Sequence, residues 1–248
     1  MKSLYHLKFP AEPHADFAIL PGDPGRVEAI ARKLDNPRFF SQNREYTAWI
    51  GEIYDKNVLV MSTGMGGPST AIAVEELAVS GVKTFIRVGT CGGMDTRVKG
   101  GDIVIANAAI RMEGTSKEYV PVEFPAVSDI EVTNVLLAAA SATQHDCHVG
   151  VVHCKDSFYG QHSPERMPVG YELQSKWDAW IKAGCLASEM ESATLFIVCQ
   201  TLGLRAGCVL SVIWNQERRR LGMPDADGDN LAASDVAVAA VARMIKEK

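Results

Sequence analysis

Short apolar runs of strand length alternate with stretches of helical period along almost the whole chain. The runs fall at 16–20, 46–53, 57–62, 83–89, 102–110, 148–154 and 205–213. The helical patterns fall at 24–34, 69–80, 129–143, 172–183, 191–202 and 230–246. Strands separated by helices pair through crossovers rather than hairpins, so this order predicts an α/β fold with a central, largely parallel or mixed sheet flanked by helices. The helix near Ser69 starts just after Pro68 and stops at Gly81, and Ser188 or Ser192 is placed to cap the helix that ends before Gly203. Nothing along the chain reads as a linker, an internal repeat or a low-complexity tract, so one domain over 1–248 is expected. The least regular stretches, 111–127, 155–171 and 215–229, are where loops over a site belong.

Composition narrows the partners. A net charge of -5 argues against nucleic acid and against an anionic membrane surface. No run approaches the roughly 20 apolar residues of a membrane span. Met1 to Pro13 carries no apolar run of signal-peptide type, so a cytoplasmic location is expected. The 6 cysteines form neither a CxxC pair nor a zinc spacing, which predicts buried reduced thiols. Cys91 stands apart, in a loop after Gly89-Thr90, but has no histidine near it in sequence.

Six segments carry chemistry. Pro21-Gly22-Asp23-Pro24-Gly25-Arg26 follows an apolar run and precedes a helical pattern. A tight turn at a helix start with an arginine beside it suits an anion, most often phosphate. Asn43-Arg44-Glu45-Tyr46 leads into a strand, and Ser62-Thr63-Gly64-Met65-Gly66-Gly67-Pro68-Ser69 is a glycine-rich strand-to-helix turn. Neither the Walker spacing nor the GxGxxG of a dinucleotide fold occurs. Arg87 interrupts the apolar run Phe85-Ile86-Arg87-Val88, and a buried guanidinium needs a carboxylate or an anionic ligand. Either a structural pair with Glu45 or Glu75, or a bound anion shared with Thr90, would meet that need. Ala187-Ser188-Glu189-Met190-Glu191-Ser192 sets two carboxylates around a methionine at a strand-to-helix transition. Glu191 there either offsets the helix dipole or accepts hydrogen bonds from vicinal sugar hydroxyls. The last segment, Lys155 to Arg166, mixes aromatics, an amide and cations, as a planar heterocycle requires. In it Phe158 could stack on a ring and Gln161 could read a carbonyl and an adjacent N–H.

Together these segments, with Glu123–Val127 and Gly160–Pro168, resemble the nucleoside phosphorylase superfamily, from about His6 to the final helix. Within it the resemblance is to the uridine-specific branch of Gram-positive type. It implies a three-layer αβα domain and reversible phosphorolysis of uridine, or of deoxyuridine or thymidine, to the free base and ribose 1-phosphate. It implies that Gly22, Arg26, Arg87 and Thr90 bind phosphate, joined by Arg44 from a neighbouring subunit. Met190, Glu191, Thr90 and the neighbour's His6 would hold the ribose. Phe158, Gln161 and Arg166 would hold the base beside Ile213, with Arg26, Arg87, Gln161 and Arg166 acting in catalysis. Glu45, Met65 and Ser69 match positions that hold a potassium ion at a dimer interface. The partners implied are a nucleoside, inorganic phosphate as co-substrate and further copies of the chain, a dimer at least and a hexamer in relatives. No cofactor is required.

The sequence departs from the pattern in two places. Four residues separate Gln161 from Arg166 where enterobacterial relatives have one, which leaves Lys155 or His162 as substitutes on the base side. Trp214 stands where a smaller aliphatic is usual. A purine phosphorylase of the same fold is the nearest alternative, but it uses an aspartic acid to protonate the purine. The matching place here is Asn215, and an amide cannot be that acid. A water-using nucleosidase would not need three converging arginines, and a nicotinamide oxidoreductase lacks its glycine fingerprint.

Overall fold

The computed structural model describes residues 3–11 and 14–247. In chain order it contains β1 (Phe17–Pro21), a 3-10 turn (Pro24–Arg26), α1 (Val27–Ala31), β2 (Asp35–Asn43), β3 (Tyr46–Ile53), β4 (Lys56–Met61), α2 (Gly67–Val79), β5 (Thr84–Gly93), β6 (Ile103–Met112) and α3 (Thr115–Tyr119). There follow β7 (Ala126–Val127), α4 (Ile130–Ala140), β8 (Cys147–Lys155), α5 (Phe158–His162), α6 (Gly170–Lys182), β9 (Ala187–Glu189), α7 (Ser192–Thr201), β10 (Arg205–Asn215), α8 (Gln216–Arg220) and α9 (Ala232–Lys246). Every strand and helix expected from periodicity is present. The first helix is shorter than its pattern, ending at Ala31. β2 has no sequence signal, because its side chains stand mostly exposed at the sheet edge and need not alternate.

The sheet is mixed. β1 pairs in parallel with β4 and β5, β5 with β10, and β8 with β6 and β9. β2–β3–β4 form an antiparallel meander on one side. β10 runs antiparallel to β6, and β9 antiparallel to the end of β5. The chain of pairings β5–β10–β6–β8–β9–β5 therefore closes on itself. This half of the sheet is a small distorted barrel.

Alternation along the central strands feeds two cores. Phe85 points into one and Ile86 and Val88 into the other. The first is covered by α2 and α7, the second by α1, α4 and α9, which gives three layers. α7 is buried from Ser192 to Cys199 and is apolar all round, as a helix enclosed on every side must be. It is not capped by Ser188 or Ser192. The Glu189 carboxylate takes that role, accepting from the backbone N–H of Ser192 at 3.0 Å and from the Ser192 hydroxyl. No helix among the described residues is long and apolar enough to cross a membrane.

Candidate active site

A cavity of about 370 Å³ opens at one end of the closed ring of strands. Gly22, Arg26, Met65, Arg87, Thr90, Lys155, Phe158, Gln161, His162, Met190, Glu191 and Ile213 all border it. Segments far apart in sequence thus meet because β1, β5, β8, β9 and β10 deliver them to one place. In β10 the register against β5 shifts between Val212 and Trp214, and this bulge brings both Ile213 and Trp214 to the cavity wall.

The anion end is built on two guanidiniums. Arg87 is 5% exposed and lies between two carboxylates. Its Nε donates to Glu189 at 2.9 Å, and its Nη2 pairs with Glu191. The partners anticipated for a structural pair, Glu45 and Glu75, are not the ones used. Burial alone would lower the Arg87 pKa, but Glu191 and then Glu189 more than offset it and hold it above its ordinary value. Burial raises the Glu189 carboxyl, but Arg87, Ser192 and the Glu191 N–H together bring it below the ordinary range. Glu191 is pushed up, by burial first and by Glu189 as well, against the pull of Arg87. Its Oε1 also accepts from the backbone N–H of Gly66.

Arg26 makes no direct ion pair among the described residues, and Asp23 and Glu191 offset its charge only in part. Its Nη1 is buried without a hydrogen-bond partner among the described residues. Its pKa is lowered by burial and then by Arg87. An unpaired guanidinium donor beside a second cation suits an anion. The turn before it contributes less than the sequence suggests. The Gly25 N–H donates to Asp23 Oδ1 at 2.8 Å and the Arg26 N–H to the Asp23 carbonyl at 3.1 Å, so both amides are already used.

The other end is aromatic and amide-lined. Phe158 lies 4.3 Å from His162 by ring centroids, and His162 lies 5.6 Å from Trp214. Gln161 is held on both sides, its Nε2 donating to Gln216 Oε1 at 2.9 Å and its Oε1 accepting from Ser188 Oγ at 2.7 Å. Ser188 in turn accepts from Lys155 Nζ at 2.8 Å. Lys155 is buried, and desolvation lowers its pKa against the opposing pull of Glu189. The roles of Ser188 and Gln216 were not legible in sequence. Register supplies the first, since β8 and β9 pair His153 with Ser188, two residues from Lys155, and α8, directly after β10, supplies the second.

Several expected residues stand elsewhere. Arg166 does not border the cavity; its guanidinium lies over the Tyr159 ring at 5.9 Å. Five residues of chain from Gln161, through a 3-10 turn, carry it away from the base end. Asn215 is fully buried, and its amide donates to the carbonyls of Asp95 and Val98 at 2.8 and 2.7 Å. The residues that reach the cavity from this segment are Ile213 and Trp214. Cys91 lies within β5 rather than in a loop, and burial pushes its thiol up, away from nucleophilic use. All 6 cysteines are free. His6 and Arg44 do not border the cavity of their own chain. His6 Nδ1 is 2.7 Å from Glu76, and Arg44 occupies a left-handed turn at φ 54°. Glu45 and Ser69 flank Gly64, where an added Cβ would lie 2.8 Å from Glu45 Cγ and 3.3 Å from Ser69 Oγ.

The closed ring of strands thus brings Arg26, Arg87, Glu191 and Gln161 to one cavity, and comparison with known proteins gives the family. The sequence profile of the phosphorylase superfamily matches residues 16–247, and the chain belongs to that superfamily. The chain is 52% identical, over 98% of its length and 95% of the relative's, to the uridine phosphorylase of Treponema pallidum (strain Nichols). It is 43% identical to that of Escherichia coli (strain K12), over 84% of this chain and 83% of that one. A guanosine phosphorylase of Halorubrum lacusprofundi is also 43% identical, over 81% and 78%.

Proposed function

We propose that the chain is a uridine phosphorylase, a pentosyltransferase that moves the ribosyl group of uridine from uracil to inorganic phosphate. The observation that carries the reading is the unpartnered Arg26 Nη1 beside Arg87, in one cavity with Glu191 and Gln161. Phosphate binds to Arg26, Arg87, Thr90 and the backbone at Gly22. The ribose lies against Met190, with Glu191 on its vicinal hydroxyls. Uracil stacks on Phe158 and is read by Gln161.

The glycosidic bond breaks at a carbon with oxocarbenium character. The arginines hold the nucleophile against that carbon, and fixed donors meet the charge that develops on the departing base. On the base side we assign the cation to Lys155, which lines the cavity, and not to Arg166, which does not. No side-chain nucleophile and no cofactor takes part; phosphate is the co-substrate.

His6 and Arg44 complete the site of a second copy of the chain, so the active form is an oligomer. Glu45 and Ser69 on either side of Gly64, with Met65 next to them, suit a potassium ion at the same interface, where it would bind two chains together. The purine alternative is disfavoured by Asn215, whose amide is committed to two carbonyls.

The test is release of uracil from uridine with and without phosphate, with inosine as competitor. Strict phosphate dependence and preference for uridine are expected. Phosphate-independent release would make the enzyme a nucleosidase, and faster cleavage of inosine would restore the purine reading.

A further inference from the structure

A second cavity, of about 430 Å³, adjoins the first and shares Lys155, Gln161 and His162 with it. Apart from these three residues, phosphorolysis as assigned above uses none of its lining. Much of its wall comes from α6 and the residues facing it. On α6, Leu173, Trp177 and Trp180 recur at helical spacing and are half-buried, while the rest of the helix beyond Gly170 is mostly exposed. The inner face of this helix therefore lines an open cleft instead of a packed core. A concave wall of aromatic and apolar side chains with a few polar groups is what a small-molecule site presents.

His153 is the polar feature of that wall. It is 3% exposed and lies against Trp180, ring centroids 4.4 Å apart, with Trp177 edge-on at 6.0 Å. Its Nδ1 is 3.0 Å from Ser188 Oγ, and its Nε2 has no partner among the described residues. The hydroxyl of Ser188 has one proton. Lys155 can only donate to it, and Gln161 Oε1 accepts that proton. His153 Nδ1 must then be the protonated ring nitrogen, which leaves Nε2 as a bare acceptor. Both cations on the same wall are held: Arg220 donates to Glu217 at 2.8 Å, and Lys155 donates to Ser188 Oγ at 2.8 Å and to the Glu189 carbonyl at 3.4 Å; Glu217 also accepts from Trp177 Nε1 at 2.9 Å. A chamber walled by two indoles, with one buried ring acceptor unmet and both of its cations already held, suits a neutral ligand.

We propose that this cavity is a second binding site, for a neutral, flat heteroaromatic molecule that donates one N–H or O–H hydrogen bond to His153. It adjoins the nucleoside site at Lys155, Gln161 and His162 and is tied to it through α8, where Gln216 holds Gln161 and Glu217 holds Trp177.

The experiment uses the full chain with ¹⁵N-labelled tryptophan and follows the indole N–H signals of its 4 tryptophans. The probes are indole and 1-methylindole, which differ in the one donor. Indole is expected to shift the Trp177 and Trp180 signals saturably and to leave Trp49 unmoved. 1-Methylindole is expected to bind about tenfold more weakly, the effect of one hydrogen bond lost at a buried acceptor. His153→Phe should abolish that preference; if the variant does not fold, the probe pair on the unaltered protein decides alone. Equal binding of the two probes, no shift at Trp177 and Trp180, or a shift confined to Trp214 would overturn the proposal. The readout involves no turnover, so it does not depend on which nucleoside the enzyme cleaves.

Discussion

At the scale of single residues, the site rests on how Arg87 is neutralised. With Glu189 on one side and Glu191 on the other, the guanidinium is held whether or not phosphate is bound. Arg87→Ala is expected to lower kcat/KM for phosphate on the order of a thousandfold, as loss of a fixed cation at the reacting centre does. It should also cost about 3–5 kcal/mol of stability, since two carboxylates lose their buried partner. Phosphorolysis kinetics and urea unfolding measure the two effects separately. On the base side, Lys155→Met should reduce kcat roughly a hundredfold, while Arg166→Ala should leave it near the unaltered value. The reverse order would return the base-side cation to Arg166. His153 adds a pH dependence of its own. Burial and then Lys155 hold its ring neutral, with the pKa pulled down to about 3. In the unfolded chain it titrates near about 6.5. The stability that a neutral ring supplies is thus complete above that value and falls as pH drops toward the folded value, by about 2 kcal/mol from pH 6.5 to pH 5. His153→Gln should flatten this slope in urea titrations at the two pH values. An unchanged slope would show that another group sets it.

At the scale of elements, the end of β10 decides between two readings of the same four residues. Asn215 ties β10 to the segment after β5 through two donated hydrogen bonds, and its Oδ1 accepts from the N–H of Arg218 to start α8. Asn215→Asp would put a carboxylate against two carbonyl oxygens. A loss of about 3 kcal/mol is expected in thermal or urea unfolding, with no gain of inosine cleavage. A gain would mean that the segment faces the base after all. The same strand shows where sequence reading ends. The apolar run 205–213 is plain, because burial on both faces demands it. The bulge at Val212/Trp214 is not, since it follows from the partner strand and decides which of four neighbours reaches the cavity. β2 left no trace for the opposite reason, being an exposed edge strand. Arg26, Arg87, Gln161 and Glu191 were legible because a charge or amide beside an apolar run or glycine turn needs explanation. Ser188, Gln216 and the cavity under α6 were not, because they depend on strand register and on helices only a few residues long.

At the scale of the whole molecule, the closed ring of strands gathers the residues proposed for phosphate, ribose and base at one cavity, but not Arg44 or His6 of the same chain. Arg44 sits on the turn between β2 and β3, away from the cavity of its own chain. If that arginine serves a neighbour, each site is written in two copies of the gene product, and two broken copies can repair each other. Arg26→Ala protein lacks its own phosphate arginine but still lends Arg44. Arg44→Ala protein lends nothing but keeps its own Arg26. Each alone should be nearly inactive. Unfolded together and refolded, random pairing into two-fold dimers makes half of the pairs mixed, and each mixed pair carries one intact site, so about a quarter of full activity should return. Failure of the mixture to exceed the sum of its parts would place Arg44 outside catalysis. Recovery would mean that a harmful change at one of these arginines can be masked by a different harmful change in the other copy.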